Sequence, residues 1–328
     1  MRRALLLVPL LLVCGSSSQA RVHGGEPVAL VTAETLDQLI AVDLPSGHVR
    51  GRIRVPAQPE NVEVGARFAV VVSTRGRAVT IVDAWKLRVR AVLHGFGAPH
   101  IVALSPDRRL AYVTDDARGQ LVVVSPAQGR VVGHVFVGLG AHHLAISPDG
   151  ARVWVALGER ARKIVVVDTS RPRHLVVVGA VDPRGAAHDL AFEPDGRRVW
   201  ITYDDRRLVR IFDAGTRRPV ASLAADAPPQ HVAFSQFELA SHPPGRLAYI
   251  SSGYGRAIRV VSVRELRTLR RVRVPYGSFN VVTAGGLVAT SSLLTGTLTE
   301  LTATPPWQLL EQKHLAPAAR DVAIAVLP

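Results

Sequence analysis

One pattern returns along this chain every 40 to 49 residues, and it limits the fold more than any other feature. A short apolar run enters a Ser-Pro-Asp turn, and an aromatic residue follows. The clearest copies are His100-Ile101-Val102-Ala103-Leu104, His142-His143-Leu144-Ala145-Ile146 and His188-Asp189-Leu190-Ala191-Phe192. Their turns are Ser105-Pro106-Asp107, Ser147-Pro148-Asp149-Gly150 and Glu193-Pro194-Asp195-Gly196. Nine residues after the aligned alanine stand Tyr112, Trp154 and Trp200. Weaker copies begin at Glu60, Gln230, Phe279 and Arg320, so seven starts are spaced by 40, 42, 46, 42, 49 and 41 residues. A fixed period of this size marks a stack or ring of identical small units.

Each unit reads as four short strands. In the copy that starts at His142 they are 143–147, 152–157, 163–168 and 174–180, rich in Val and Ile and separated by Gly, Pro and Asp turns. Asp43, Asp83, Asp168 and Asp213 close third strands, where a carboxylate can bond the backbone of the next turn. Four-stranded units without crossover helices are propeller blades. Three strand-like runs precede the first start, and room for one remains after Arg320. One C-terminal strand joined to three N-terminal ones completes a seventh blade and removes the open edges. The expectation is an all-β, seven-bladed β-propeller forming one domain over 21–328, monomeric, with Trp154 and Trp200 in its core.

Tyr112-Val113-Thr114-Asp115 after Ser105-Pro106-Asp107 resembles the YVTN-repeat propellers of bacterial and archaeal envelopes. The likeness covers 28–328 and is strongest over 100–215. Asp115 stands where that family has Asn, and other copies read Trp154-Val155-Ala156-Leu157 and Trp200-Ile201-Thr202-Tyr203. The resemblance implies the fold and leaves the activity open, because one fold hosts many functions.

Met1 to Ala20 reads as an export signal, with Arg2 and Arg3, an apolar run Ala4 to Val13, and Ser18 and Ala20 as a small-x-small cleavage site. A lipoprotein reading competes, in which Cys14, the only cysteine, is the anchor; Val13 departs from the small residue that such sites carry. Both readings place the mature protein outside the cytoplasm. No run approaches the roughly 18–20 apolar residues of a membrane-spanning helix. The net charge of +14 favours anionic partners such as a polymer or a lipid surface, although the arginines are scattered in pairs rather than gathered in one run. With one cysteine the chain cannot form an internal disulfide, so its stability must come from a core.

In a propeller the first strand of each blade lines the central channel. Position one of the seven starts should therefore ring the channel mouth: Glu60, His100, His142, His188, Gln230, Phe279 and Arg320. His143 and His231 occupy position two, so five of the 12 histidines fall in one region. Two readings follow. A binding module would present this face to a protein or small-molecule ligand, with the histidines as framework that bonds the neighbouring blade. Alternatively the ring would serve a metal-dependent oxidoreductase-like or lactonase-like enzyme, with His100, His142 and His188 holding a divalent or transition metal, since imidazole is a common ligand for such ions. The second arrangement is similar to nitrous oxide reductase propellers, which ring a copper cluster with histidines. Strict strand alternation places His142 and His143 on opposite sides, which favours framework. Asp115, Asp116, Glu159, Asp204 and Asp205, on loops of the same face, form a second candidate set for a general base or a cation, as lactonase propellers use them. Signatures of serine hydrolases, zinc proteases, phosphate loops and dinucleotide folds are absent, and no cofactor follows from them.

Overall fold

The computed structural model describes residues 25–44, 46–158, 162–225, 227–235 and 246–327. Residues 1–20, read above as an export signal and containing Cys14, lie outside the described residues, as does Glu159. Seven four-stranded antiparallel sheets form a ring. The blade that closes it pairs the C-terminal strand Ala319–Leu327 with Glu26–Ala33, followed by Gln38–Asp43 and Val49–Arg54. We number this sheet blade 1. Blades 2 to 7 then run over 59–93, 99–136, 144–181, 187–224, 232–273 and 282–314. In blade 4 the strands are Leu144–Ile146, Arg152–Ala156, Ile164–Asp168 and Val176–Val181, each bound within two residues of expectation.

The repeat residues build the blades as their chemistry requires. Ser105 Oγ donates to Asp107 Oδ1 (2.6 Å) and accepts from the Leu110 N–H (3.0 Å), which knots the turn between first and second strands. Ser147 and Asp149 repeat the knot in blade 4. Asp83, Asp168 and Asp213 accept from the backbone N–H groups of Lys86, Ser170 and Thr216 in the turns that follow. The aromatic position serves the joint between blades. Trp154 of blade 4 meets Phe192 of blade 5 edge-on at 5.8 Å, and Trp200 of blade 5 meets Phe234 of blade 6 at 5.5 Å. Both tryptophans are buried. The core is thus a wreath of apolar layers between successive sheets rather than one central mass, and each joint is local to two neighbouring blades.

The innermost strands hold a feature that alternation does not anticipate. In all seven, pairing with the second strand slips by one residue at positions one and two. Pro99 faces Asp115 while Val102 faces Val113, and the same slip occurs between Pro59 and Asn61, Ala187 and Leu190, and Ala319 and Val322 of blade 1. In blade 4 a single residue, Ala156, accepts from the His142 N–H and donates to the His143 carbonyl. Ser251 does the same for Gln230 and His231. In blade 7 the slip lies between the Ser278–Ser292 bridge and the Val282–Ala289 pair. Each is a β-bulge, which re-aims side chains at the rim of a sheet.

Candidate metal and ligand site at the channel mouth

The bulges turn two consecutive side chains per blade toward the channel and so create two tiers. Position-one residues line a mouth cavity of about 450 Å³. All seven position-two residues line an inner cavity of about 330 Å³, and all but Asp189 also line the mouth cavity. The expectation that His142 and His143 face opposite sides is corrected: their ring centroids are 5.0 Å apart. The physical reason is the bulge at Ala156, which interrupts the alternation between them.

The two tiers have different duties. Position two ties blade to blade. Asn61 accepts from the Val102 N–H (2.8 Å), Asp189 from the Val232 N–H (3.1 Å) and Asp321 from the Val62 N–H (3.0 Å), each in the next blade. Asn280 donates to the Arg320 carbonyl (2.6 Å), also one blade on. The framework role expected of position one is thus filled by position-two side chains. Position-one residues are pinned instead through their backbones. Thr114 Oγ1 donates to the His142 carbonyl and Thr202 Oγ1 to the Gln230 carbonyl, both at 2.6 Å, so the threonine of the aromatic-Val-Thr motif fixes the next blade's rim. Their side chains remain available to the cavity.

His100, His142, His143, His188 and His231 converge here from four blades. His100 stacks on His142 at 3.7 Å, His143 lies 4.2 Å from His188, and His231 stands 5.1 Å from His143. Every one has Nδ1 turned to a carboxylate. His100 Nδ1 lies 2.8 Å from Glu60 Oε2, His142 3.2 Å from Asp116, His188 3.1 Å from Asp204, and His143 and His231 3.4 and 3.8 Å from the two oxygens of Asp189. The Glu60 contact is short but out of line, so its buried Oε2 has no in-line donor. Where the carboxylate is hydrogen-bonded, as Asp116 is to His142 and Asp204 to His188, it holds the proton on Nδ1 and leaves the Nε2 lone pair as the ligand.

Burial sets the charge state. It lowers His100 to about 4 against the opposing pull of Glu60, and it drives His143 and His231 well below the ordinary imidazole value, with the neighbouring histidines adding to the effect. These three rings are neutral at pH 7. Burial also raises Asp189 to about 6, partly offset by His188 and by backbone N–H groups. Burial would raise Glu60 and Asp204 as well, but His100 with Arg320 and Thr74, and His188 with His142, together outweigh it and lower them.

Two triads have one ligand atom from each member within 4.8 Å of the others: His100, His142 and His143, and His143, His188 and His231. His143 is shared, and with Nδ1 facing Asp189 it has one nitrogen to give, so the triads are alternatives for a single ion. The expected trio His100, His142 and His188 is not itself one of these triads; His143 is the joint member.

Of the second candidate set, Asp116 and Asp204 reach the histidines. Asp115 is fully buried and accepts from the Gly97 and Ala98 N–H groups, anchoring the loop into its own blade's first strand. Asp205 pairs with Arg162 at 2.6 Å. The remaining mouth residues are Glu60, Gln230, Phe279 and Arg320, joined by Tyr254 and Leu293 from loops. Sequence reading missed Asp189, Asp321, Asn61 and Asn280. The signal was present, because position two is polar in six of seven copies although it opens an apolar strand.

No protein-family profile and no curated protein matches the sequence. Solved structures match its fold. A functionally unknown protein from Desulfotomaculum acetoxidans aligns with a TM-score of 0.76 at 13% identity, over 92% of this chain and 99% of its own. Apo AztD from Citrobacter koseri aligns at 0.70 with 10% identity over 92% and 98%. Hydrazine synthase of Kuenenia stuttgartiensis aligns at 0.69 with 18% identity over 83% and 91%. At these identities the likeness establishes a seven-bladed β-propeller resembling those of AztD and hydrazine synthase.

Proposed function

We propose that this protein is a metal-binding propeller of the YVTN type that takes one transition-metal ion at the channel mouth and presents it there. The observation that carries the reading is the fivefold pairing of imidazole Nδ1 with carboxylate around two overlapping triads. Histidines that served only as framework would spend their nitrogens on backbone groups of the next blade, and that task is filled by Asn61, Asp189, Asp321 and Asn280. Neutral nitrogen donors, oriented by carboxylates and recessed in a cavity, suit zinc, copper, cobalt or nickel better than magnesium or calcium. Three imidazoles leave a coordination position open to a ligand. The leader supports a place outside the cytoplasm, and the basic charge supports contact with an anionic surface there.

Titration of chelator-free protein with zinc tests the reading. One equivalent should bind tightly, and His143→Gln should lose it while keeping a cooperative unfolding transition. Wild-type protein that takes up neither zinc, copper nor cobalt would overturn the proposal.

A further inference from the structure

The mouth cavity is much larger than an ion needs, and its two sides differ in chemistry. A metal with its waters occupies the histidine side, whereas about 450 Å³ falls within the range of pockets that hold small organic molecules. The other side carries Arg320 and Phe279, with Tyr254 and Leu293. Phe279 packs edge-on to Tyr254 at 5.1 Å, and Tyr254 approaches Tyr276 at 6.2 Å. The Phe279 ring is seated against Gly253, where an added Cβ would lie 2.5 Å from it. Tyr254 is 56% exposed and Tyr276 38%, so a broad aromatic surface stays open beside the cavity. Arg320 sits between Phe279 and Glu60 in the ring. Its guanidinium lies 3.6 Å from Glu34, its charge also acts on Glu60, and its side chain keeps a third of its surface.

From this juxtaposition we infer that the mouth binds a small organic anion with a flat apolar body, placed between the metal and Arg320. The anionic group takes the guanidinium on one flank and the open metal position on the other, and the body lies along Phe279 and Tyr254. An oxyanion satisfies both cations at once, because its oxygens accept hydrogen bonds from a planar guanidinium and can also ligate a metal. The aromatic wall distinguishes ligands with a ring from simple anions, because a ring buried against it leaves water while acetate has nothing to place there. The inference rests on the metal reading for one of its two anion contacts.

The test uses the mature protein loaded with cobalt(II), whose visible absorption reports its ligands, with benzoate and acetate as probes. Benzoate is expected to shift the spectrum and to bind on the order of tenfold or more tightly than acetate. Arg320→Gln should weaken benzoate on the order of tenfold or more while cobalt stoichiometry stays the same. Phe279→Ser should remove the preference for benzoate over acetate, with acetate binding retained as the check on folding. Cobalt uptake with equal affinity for the two anions, or benzoate binding indifferent to Arg320→Gln, would overturn the inference and leave the metal reading standing. If no cobalt binds, the metal reading fails, and calorimetry with benzoate on metal-free protein then decides the anion site: binding sensitive to both variants supports it, and absence of binding ends it.

Discussion

At the scale of single residues, Asp189 connects most of the account. One carboxylate accepts from the Val232 N–H of the next blade and faces Nδ1 of both His143 and His231. Asp189→Asn keeps the size and an oxygen for Val232 but removes the charge that fixes both rings. Zinc affinity should fall by about 10- to 100-fold, the usual cost of losing such an orienting group, while the thermal midpoint changes little. Calorimetric zinc titration of the variant checks this, and unchanged affinity would remove Asp189 from the site. Residue chemistry was readable from sequence where it was local: the Ser-Pro-Asp knots and the third-strand aspartates Asp83, Asp168 and Asp213 act as their types dictate, whereas Asp43 turns to Arg50 instead of the following turn. Asp189 and Asp321 left a signal in the polar second position of the repeat, but the pairing of His142 with His143 was not readable, because a bulge of one residue reverses an inference drawn from alternation.

At the scale of elements, the blades are held by joints that the aromatic position makes. Trp200 is fully buried between blades 5 and 6, and its Nε1 donates to Glu193 at 2.7 Å. Trp200→Ala removes the largest side chain of that joint and leaves Glu193 without its donor. A loss of about 3–5 kcal/mol is expected in denaturant unfolding, whereas a loss under about 1 kcal/mol would contradict the packing described. Glu300, on the third strand Thr297–Thr302 of blade 7, tests electrostatics far from the mouth. Burial raises its carboxyl to about 7, with Glu311 and Asp43 pushing the same way. A carboxyl raised in the folded state favours folding while protonated, and that stability is lost as pH rises from the unfolded value near 4.5 through about 7. Glu300→Gln should therefore stabilise the protein above pH 7, by on the order of 1 kcal/mol or more, and change little below pH 4.5. Thermal midpoints of the two proteins across that range show whether the difference grows with pH as required.

At the scale of the whole molecule, the repeat count and the position of the chain ends are enough to dictate the architecture. Seven starts with one strand left over demand closure by Ala319–Leu327 against Glu26–Ala33, and that is the arrangement found. Closure also supplies Arg320 and Asp321 to the mouth, so the ring and the site share one strand. A chain ending at Ala318 should lose its cooperative thermal transition, and retention of a native-like transition would show that the ring tolerates an open blade. Period and pattern carry the fold because all seven units repeat them. The site is written in the departures from the repeat, and a departure becomes legible only when the ring places seven of them together. The measurement that tests the central claim most directly is X-ray absorption at the zinc edge of the loaded protein. The account predicts a first shell with three imidazole nitrogens at about 2.0–2.1 Å. A shell of oxygens without imidazole would contradict it.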